Sequence, residues 1–142
     1  MPMSLGILDT STLILLDQIA DQSSLPDEPL ITTITLAELS VGPLVARDEA
    51  TRAARQLHLQ QAEADFDPVP FDAGAARRFG QVAAALRRSG RKPAARAYDA
   101  MIAAVALHAE LPVHTCNPAD FGGIDDLEVV DVPHPNRGPA AS

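Results

Sequence analysis

Hydrophobic and polar positions alternate in blocks that predict short strands followed by helices. An apolar block at residues 5–8 ends at Asp9, and a second apolar stretch covers residues 13–20. This order predicts a buried strand, a polar cap and a helix. The β-branched residues at 30–33 predict a second strand, which leads into another apolar helical stretch. The chain therefore begins with two strand–helix units.

The rest of the chain continues this alternation. Thr33 or Thr35 is expected to cap the helix after the second strand, and Asp72 is expected to cap a later one. Further helices are predicted at residues 48–64, 73–89 and 95–110, and further strands at residues 112–115 and 127–132. Residues 69–71 contain a proline and predict an edge strand at best. Strands that alternate with helices indicate an α/β fold with a mainly parallel sheet.

Length and composition indicate one domain and exclude several classes of protein. The chain has 142 residues, of which 46% are hydrophobic and 21% charged, enough to form a core in a single domain at residues 1–132. Residues 133–142 are rich in Pro, Asn, Gly and Ala and predict a flexible tail. The longest apolar run, residues 100–107, is far shorter than the roughly 20 residues of a membrane span. With no signal segment at the N-terminus, the expected location is the cytoplasm.

Cysteine and histidine usage argues against disulfides and zinc. Cys116 is the single cysteine, so an internal disulfide and a cysteine-based zinc site are excluded, and we assign it no role. Of the four histidines, His114 alone is near a candidate acidic residue in the sequence. A strand side chain is the simpler interpretation of His114, and zinc is disfavoured.

Four acidic residues stand where an α/β fold places its active site. Asp9 directly follows the first strand and Asp120 lies shortly after the strand at residues 112–115, so both belong at the carboxyl edge of the sheet. Glu38 and Asp99 stand near helix starts amid apolar neighbours, where capping alone is the simpler explanation for each. Four clustered carboxylates repel one another unless a cation compensates them, and Mg²⁺ or Mn²⁺ prefers oxygen ligands. The sequence thus predicts metal-assisted hydrolysis.

These segments resemble the PIN-domain ribonucleases, and more narrowly the VapC toxins of toxin–antitoxin pairs. The resemblance covers nearly the whole chain and rests on four motifs in order: Leu8-Asp9-Thr10-Ser11, Leu36-Ala37-Glu38-Leu39, Arg96-Ala97-Tyr98-Asp99-Ala100 and Thr115-Cys116-Asn117-Pro118-Ala119-Asp120. It implies a three-layer α/β/α domain with a short parallel sheet. It also implies cleavage of RNA phosphodiester bonds by metal-activated water.

The resemblance assigns roles position by position. Asp9, Glu38, Asp99 and Asp120 match the catalytic acids, and Asp9, Asp99 and Asp120 would hold Mg²⁺ or Mn²⁺. Ser11 and Thr115 match supporting polar residues. Asn117, a further supporting residue, stands where many relatives carry an additional aspartate, so a second metal ion is not assumed.

The charge distribution suggests a binding segment for the RNA backbone. The net charge is −8, yet residues 73–98 carry seven basic residues and no acidic one. A solvated helix face explains most such runs; phosphate contacts are the functional interpretation. The candidate contacts are Arg87, Arg88, Arg91, Lys92 and Arg96. Arg96 lies three residues before Asp99 and can contact either RNA or a carboxylate.

The sequence also leads to predictions about binding partners, and it leaves two alternative functions open. The resemblance implies a VapB-type antitoxin that lies over the active-site groove, and a homodimer. A non-catalytic module that binds RNA or a partner through the same fold is one alternative. An aspartate-nucleophile phosphatase is a weaker one, because that chemistry usually needs a second acid where this chain has Ser11.

Overall fold

Four parallel strands form the centre of the fold in a computed structural model that describes residues 3–92 and 96–137. The strands are β1 (Leu5–Leu8), β2 (Glu28–Leu30), β3 (Val113–Thr115) and β4 (Val129–Asp131). Their order in the sheet is β2-β1-β3-β4, and every neighbouring pair is parallel. Because β1 and β3 are adjacent and central, their carboxyl ends lie side by side. The predicted mainly parallel sheet is confirmed.

Helices flank this sheet, as the α/β/α prediction requires. Within the described part of the chain they are α1 (Thr10–Leu15), α2 (Thr33–Val41), α3 (Glu49–Asp65), α4 (Ala73–Arg88) and α5 (Ala97–Ala109). The main core joins the inner strands to the last two helices, with Ile7, Val82, Leu86, Val113 and Phe121 all buried. Every residue from 102 to 107 in α5 is buried, which explains why this helix is apolar on almost all sides.

Helix boundaries follow the capping residues. Asp72 caps α4 as expected, and its side chain accepts a hydrogen bond from Ala75 N at 2.9 Å. The cap of α2 is Thr32, not Thr33 or Thr35, because Thr32 keeps an extended backbone and its hydroxyl accepts from Thr35 N. The Thr33 hydroxyl instead accepts from Phe71 N at 3.1 Å. The capping prediction was therefore wrong by one residue.

The first helix is shorter than the apolar pattern predicts. α1 ends at Leu15 and continues as a 3₁₀ turn, Leu16–Gln18. The chain then turns so that Ile19 packs against Cys116 and Val132 in a small separate cluster. Tertiary packing thus ends the helix before its apolar sequence does.

The second strand lies earlier than the β-branched residues 30–33 predict: β2 is Glu28–Leu30, because Thr32 caps α2 and Thr33 begins that helix. Val69 forms one isolated parallel bridge with Thr32, so residues 69–71 are less than a strand. Residues Pro135–Arg137 form a 3₁₀ turn, and the rest of the predicted tail, 138–142, lies outside the described residues. No helix in the described ranges is long and apolar enough to cross a membrane.

Candidate active site

Asp9 lies at the junction of the two central strands. It follows β1 directly and caps α1, so its carboxylate accepts from Thr12 N at 3.3 Å. Its other oxygen accepts from Thr115 Oγ1 at 2.8 Å and from Ser11 Oγ at 3.3 Å. Asp9 is only 3% exposed. Burial raises the pKa of this carboxyl group, and the three hydrogen-bonding partners oppose that rise.

The predicted supporting residues surround Asp9. Thr115 ends β3, next to the end of β1. Its hydroxyl accepts from Asn117 N at 2.9 Å, while Asn117 Nδ2 donates to Ser11 Oγ at 3.2 Å. The structure therefore brings Ser11, Thr115 and Asn117 into one hydrogen-bond network around the buried carboxylate.

Glu38 approaches the same region from α2. It lies in the second turn of that helix, not at its start, because Thr32 already serves as the cap. Thr10 Oγ1 donates a 2.7 Å hydrogen bond to Glu38 Oε1 and shares another hydrogen bond with Thr35 Oγ1 at 2.9 Å. Burial, together with the charge of Asp9, raises the pKa of Glu38 against the effect of the Thr10 contact.

Asp99 lies near enough to the other three acids for their charges to affect it. It lies in the first turn of α5. Burial raises its pKa to about 6, and the negative charges of Asp120, Asp9 and Glu38 add to the rise in that order. Arg96 opposes them. The carboxylates of Asp120, Asp9 and Glu38 thus act on the carboxyl group of Asp99. Their mutual repulsion predicts that a positive charge would be bound favourably here.

Asp120 forms an ion pair with Arg96. It lies in the 3₁₀ turn Pro118–Phe121 beyond β3, and its carboxylate forms an ion pair with the Arg96 guanidinium. Of the two contacts that the sequence left open for Arg96, RNA or a carboxylate, the structure places it on the carboxylate.

The chemistry of this donor set fits a hard divalent cation. All the converging groups are carboxylates, and their mutual repulsion favours an ion that accepts oxygen ligands. As they stand, no three His, Cys, Asp or Glu side chains in the described ranges are close enough together to hold a metal ion. His114 is not part of the cluster, since its Nδ1 faces the Ser24 carbonyl at 2.9 Å.

The family model of the PIN domain matches residues 7–125 of this chain. The chain belongs to the PIN domain family. Ribonuclease VapC5 from Mycobacterium tuberculosis is 38% identical over 129 residues, which are 89% of this chain and 93% of that protein. Ribonuclease VapC from Rickettsia bellii is 30% identical over 130 residues, with 89% and 96% covered.

Solved structures agree with this assignment. A member of the VapBC family of toxin–antitoxin systems, VapBC-5 from Mycobacterium tuberculosis, superimposes with a TM-score of 0.79 at 38% identity, covering 91% of this chain and 99% of that one. DNA-bound VapBC from Salmonella typhimurium gives a TM-score of 0.70 at 26% identity, covering 92% and 98%. The fold predicted from the four motifs is confirmed.

In this PIN domain the basic segment runs alongside the Asp120 turn. Arg88 pairs with Asp125 at 3.3 Å in an exposed contact, and Arg91 Nη1 donates to the Ala119 carbonyl at 2.9 Å. Together with Arg96, three of the five candidate RNA contacts therefore touch residues 119–125. Arg87 and Lys92 are exposed.

Sequence reasoning missed two residues of the PIN domain site. Thr10 donates to Glu38, and Thr35 shares a hydrogen bond with Thr10. Two features of the sequence could have identified Thr10 and Thr35. Thr10 directly follows Asp9, and Thr35 stands three residues before Glu38 on one helical face.

Proposed function

We propose that this protein is a metal-dependent endoribonuclease that acts as the toxin of a toxin–antitoxin pair. The observation that supports this most directly is the position of Asp9, Glu38 and Asp120 near Asp99, whose pKa is raised to about 6, first by burial and then by the charges of these acids. Membership of the PIN domain family and similarity to proteins named Ribonuclease VapC support the same conclusion.

The acids would divide into two groups in this proposal. Asp9, Asp99 and Asp120 would hold Mg²⁺ or Mn²⁺, and Glu38 would either contact the cation through a water or orient the attacking water. When bound, the cation lowers the pKa of water and offsets negative charge on the phosphate.

The hydrogen bonds of the chain prepare these acids for binding. Thr115 and Ser11 fix one oxygen of Asp9, and Thr12 N fixes the other. Thr10 likewise holds Glu38 by one oxygen. Ligands that are already oriented lose little conformational freedom when the cation binds. Asp120 is held by Arg96 through one carboxylate oxygen, Oδ1.

The basic segment supplies the contacts to the RNA backbone. We assign these contacts to Arg87, Arg88 and Lys92, which are exposed, whereas Arg91 and Arg96 contact the Asp120 turn. Replacing Arg87 or Lys92 by methionine should raise KM for RNA and reduce its salt dependence, since phosphate contacts release counterions. Arg77→Met, in the exposed first half of α4, is the charge-matched control.

The proposed partners are a VapB-type antitoxin and a second copy of this chain. A basic antitoxin side chain that reached Asp9, Asp99 and Asp120 would substitute for the charge of the cation and exclude phosphate. Purification from the native host through a mild tag on this chain should give a complex with a small protein, and that complex should lack ribonuclease activity. Light scattering of the toxin alone should give about twice the 15.0 kDa of the chain.

The experiment that tests the proposal measures cleavage of structured RNA by the purified protein. Activity should disappear with a chelator, return with Mg²⁺ or Mn²⁺, and be absent in Asp9→Asn, which keeps the size of the side chain but replaces one accepting oxygen by a donating NH₂ group. RNA binding without cleavage in any of these metals would instead support the non-catalytic alternative. Release of phosphate from a phosphomonoester would support the phosphatase.

A further inference from the structure

The turn that carries Asp120 is anchored on one side by the core. Phe121 is 2% exposed and packs into the main core. Asp120 N donates to the Asn117 carbonyl at 3.0 Å, which closes the turn. The Asp120 side chain itself is 34% exposed. A short turn with a single buried anchor needs a second contact to keep a half-exposed carboxylate in one place.

Arg91 supplies that second contact. Its Nη1 donates to the Ala119 carbonyl at 2.9 Å, directly before Asp120 in the chain. The same carbonyl accepts from Gly122 N at 3.2 Å. The guanidinium therefore holds the backbone on the solvent side of the turn, opposite the side on which Phe121 enters the core.

The end of α4 fixes the position of Arg91. Gly90 adopts a left-handed conformation with φ of 81°, and Arg91 N donates to the Leu86 carbonyl at 2.8 Å. This arrangement is a common way of ending a helix, and it holds the residue after the glycine rigidly. Leu86 is buried. Arg91 thus extends from a rigid part of the core to the Asp120 turn.

The packing beside the turn leaves little room around the guanidinium. A Cβ built on Gly122 would lie 2.9 Å from Arg91 Nη2, and one built on Gly123 would lie 2.6 Å from Ser89 Oγ. Two consecutive glycines therefore let the end of α4 approach the turn closely.

Arg91 and Arg96 act on this turn differently. Arg96 pairs with the Asp120 carboxylate, the group that a cation would need. Arg91 instead donates to the backbone carbonyl of Ala119. Its contact is compatible with an Asp120 that binds a cation, so it can hold the turn throughout the reaction.

We propose that Arg91 is a positioning residue that holds Asp120 for cation binding, and not a contact to RNA phosphate. The inference rests on the proposed function for its kinetic consequence. Loss of the Arg91 contact leaves the acid present but less well placed, which weakens metal binding and slows the chemical step. Contacts of this kind typically contribute about 10- to 100-fold in metal affinity or activity.

The first test compares Arg91→Met with Arg77→Met, which removes one charge elsewhere on the same basic stretch. Arg91→Met should raise the dissociation constant for Mn²⁺, followed by the electron paramagnetic resonance of the free ion, about tenfold. It should lower kcat by a similar factor while KM for RNA stays within about twofold. Arg91→Lys, which retains charge and a donor, should recover part of both losses. Arg77→Met should change none of these quantities.

A second variant approaches the same contact from the other side. Gly122→Ala places a methyl group against the guanidinium at a position whose backbone tolerates alanine, since φ is −67°. It should reproduce the Mn²⁺ and kcat effects of Arg91→Met. In the double variant the methyl group no longer displaces an arginine, so the two effects should not add. If Arg91→Met fails to fold, the Mn²⁺ affinity and kcat of Gly122→Ala test the role of Arg91 without it.

The outcomes separate the inference from the proposed function. A rise in KM with unchanged kcat and unchanged Mn²⁺ affinity would make Arg91 an RNA contact and overturn the inference. Equal behaviour of Arg91→Met and Arg77→Met, or additive effects in the double variant, would overturn it as well. If the wild-type protein cleaves no RNA, the ribonuclease proposal fails, while the Mn²⁺ titrations still test the role of Arg91.

Discussion

Thr115 donates a 2.8 Å hydrogen bond to Asp9, which joins the ends of the two central strands. The same threonine hydroxyl accepts from Asn117 N. One small side chain thus orients a buried acid and the backbone that leads to Asp120. The adjacency of β1 and β3 makes this contact possible, because parallel strands end at the same edge of a sheet.

Replacing Thr115 by valine should cost both stability and activity. The change leaves Asn117 N without its acceptor and removes a donor from Asp9, so the free energy of unfolding should fall by about 1–3 kcal/mol. Cleavage should fall too, because Asp9 is less well oriented. Urea unfolding and RNA cleavage measure the two effects. Ser40→Ala, which removes an exposed hydroxyl that donates to the Leu36 carbonyl and not to an acid, should change neither by much; equal losses in both variants would contradict the role of Thr115.

Asp99→Asn should stabilise the metal-free protein at neutral pH. The folded-state pKa of Asp99 is about 6 against its usual 3.8. The stability that this group contributes is therefore complete below pH 3.8 and is lost as the pH rises through about 6. After allowing for solvent screening of a partly exposed group, removing the charge should gain about 1–2 kcal/mol at pH 7.5.

Thermal unfolding in a chelator checks the Asp99 prediction. Tm of Asp99→Asn should exceed that of the wild type at pH 7.5 by roughly 3–6 °C. The difference should shrink towards pH 4, where the wild-type carboxyl group is protonated. A lower Tm for the variant at every pH would show that the aspartate stabilises the fold.

Stabilisation by a divalent cation should depend on pH. A cation competes with the proton for Asp99, so Mn²⁺ should raise Tm at pH 7.5 and much less at pH 5, below the pKa of about 6. Differential scanning fluorimetry with and without MnCl₂ measures this difference. Asp9→Asn is the control that should lose most of the rise at pH 7.5. An equal rise at both pH values would indicate binding elsewhere.

Two glycine substitutions should have opposite effects on stability. A Cβ on Gly6 in β1 would lie 2.4 Å from His114 Cδ2, and that ring is 8% exposed and held by its bond to the Ser24 carbonyl. Gly6→Ala should therefore destabilise the protein by about 1–3 kcal/mol. Gly80, inside α4, has nothing within 4 Å of its Cβ position, so Gly80→Ala should stabilise by about 0.5–1 kcal/mol. Chemical unfolding measures the free energy of unfolding of each variant and tests both predictions.

The sequence was informative where local pattern determines structure. The apolar run before Asp9 and the cap at Asp72 predicted β1 and α4 within a residue, because burial and capping act over a few positions. The expectation that Asp9 and Asp120 belong at the same edge of the sheet followed from the parallel arrangement of the strands. The roles of the predicted site residues remain predictions.

Other features depend on packing between distant segments. No periodicity indicates that α1 ends at Leu15, because the reason is the burial of Ile19 against Val132. Charge alone likewise gave Arg91 and Arg96 the same role as Arg87. Only the folded turn at residues 118–121 shows that two of these arginines contact the protein itself.

The strand order also determines when the enzyme becomes complete during its synthesis. Asp9 and its partner Thr115 are separated by 106 residues, and β1 meets β3 only after α5 has formed. A ribosome that has made Asp9 and Glu38 carries a nascent chain with half of the acids and no second central strand. Until residues 113–121 have emerged from the exit tunnel, the nascent chain lacks Asp120, and Asp9 lacks the hydrogen bond from Thr115.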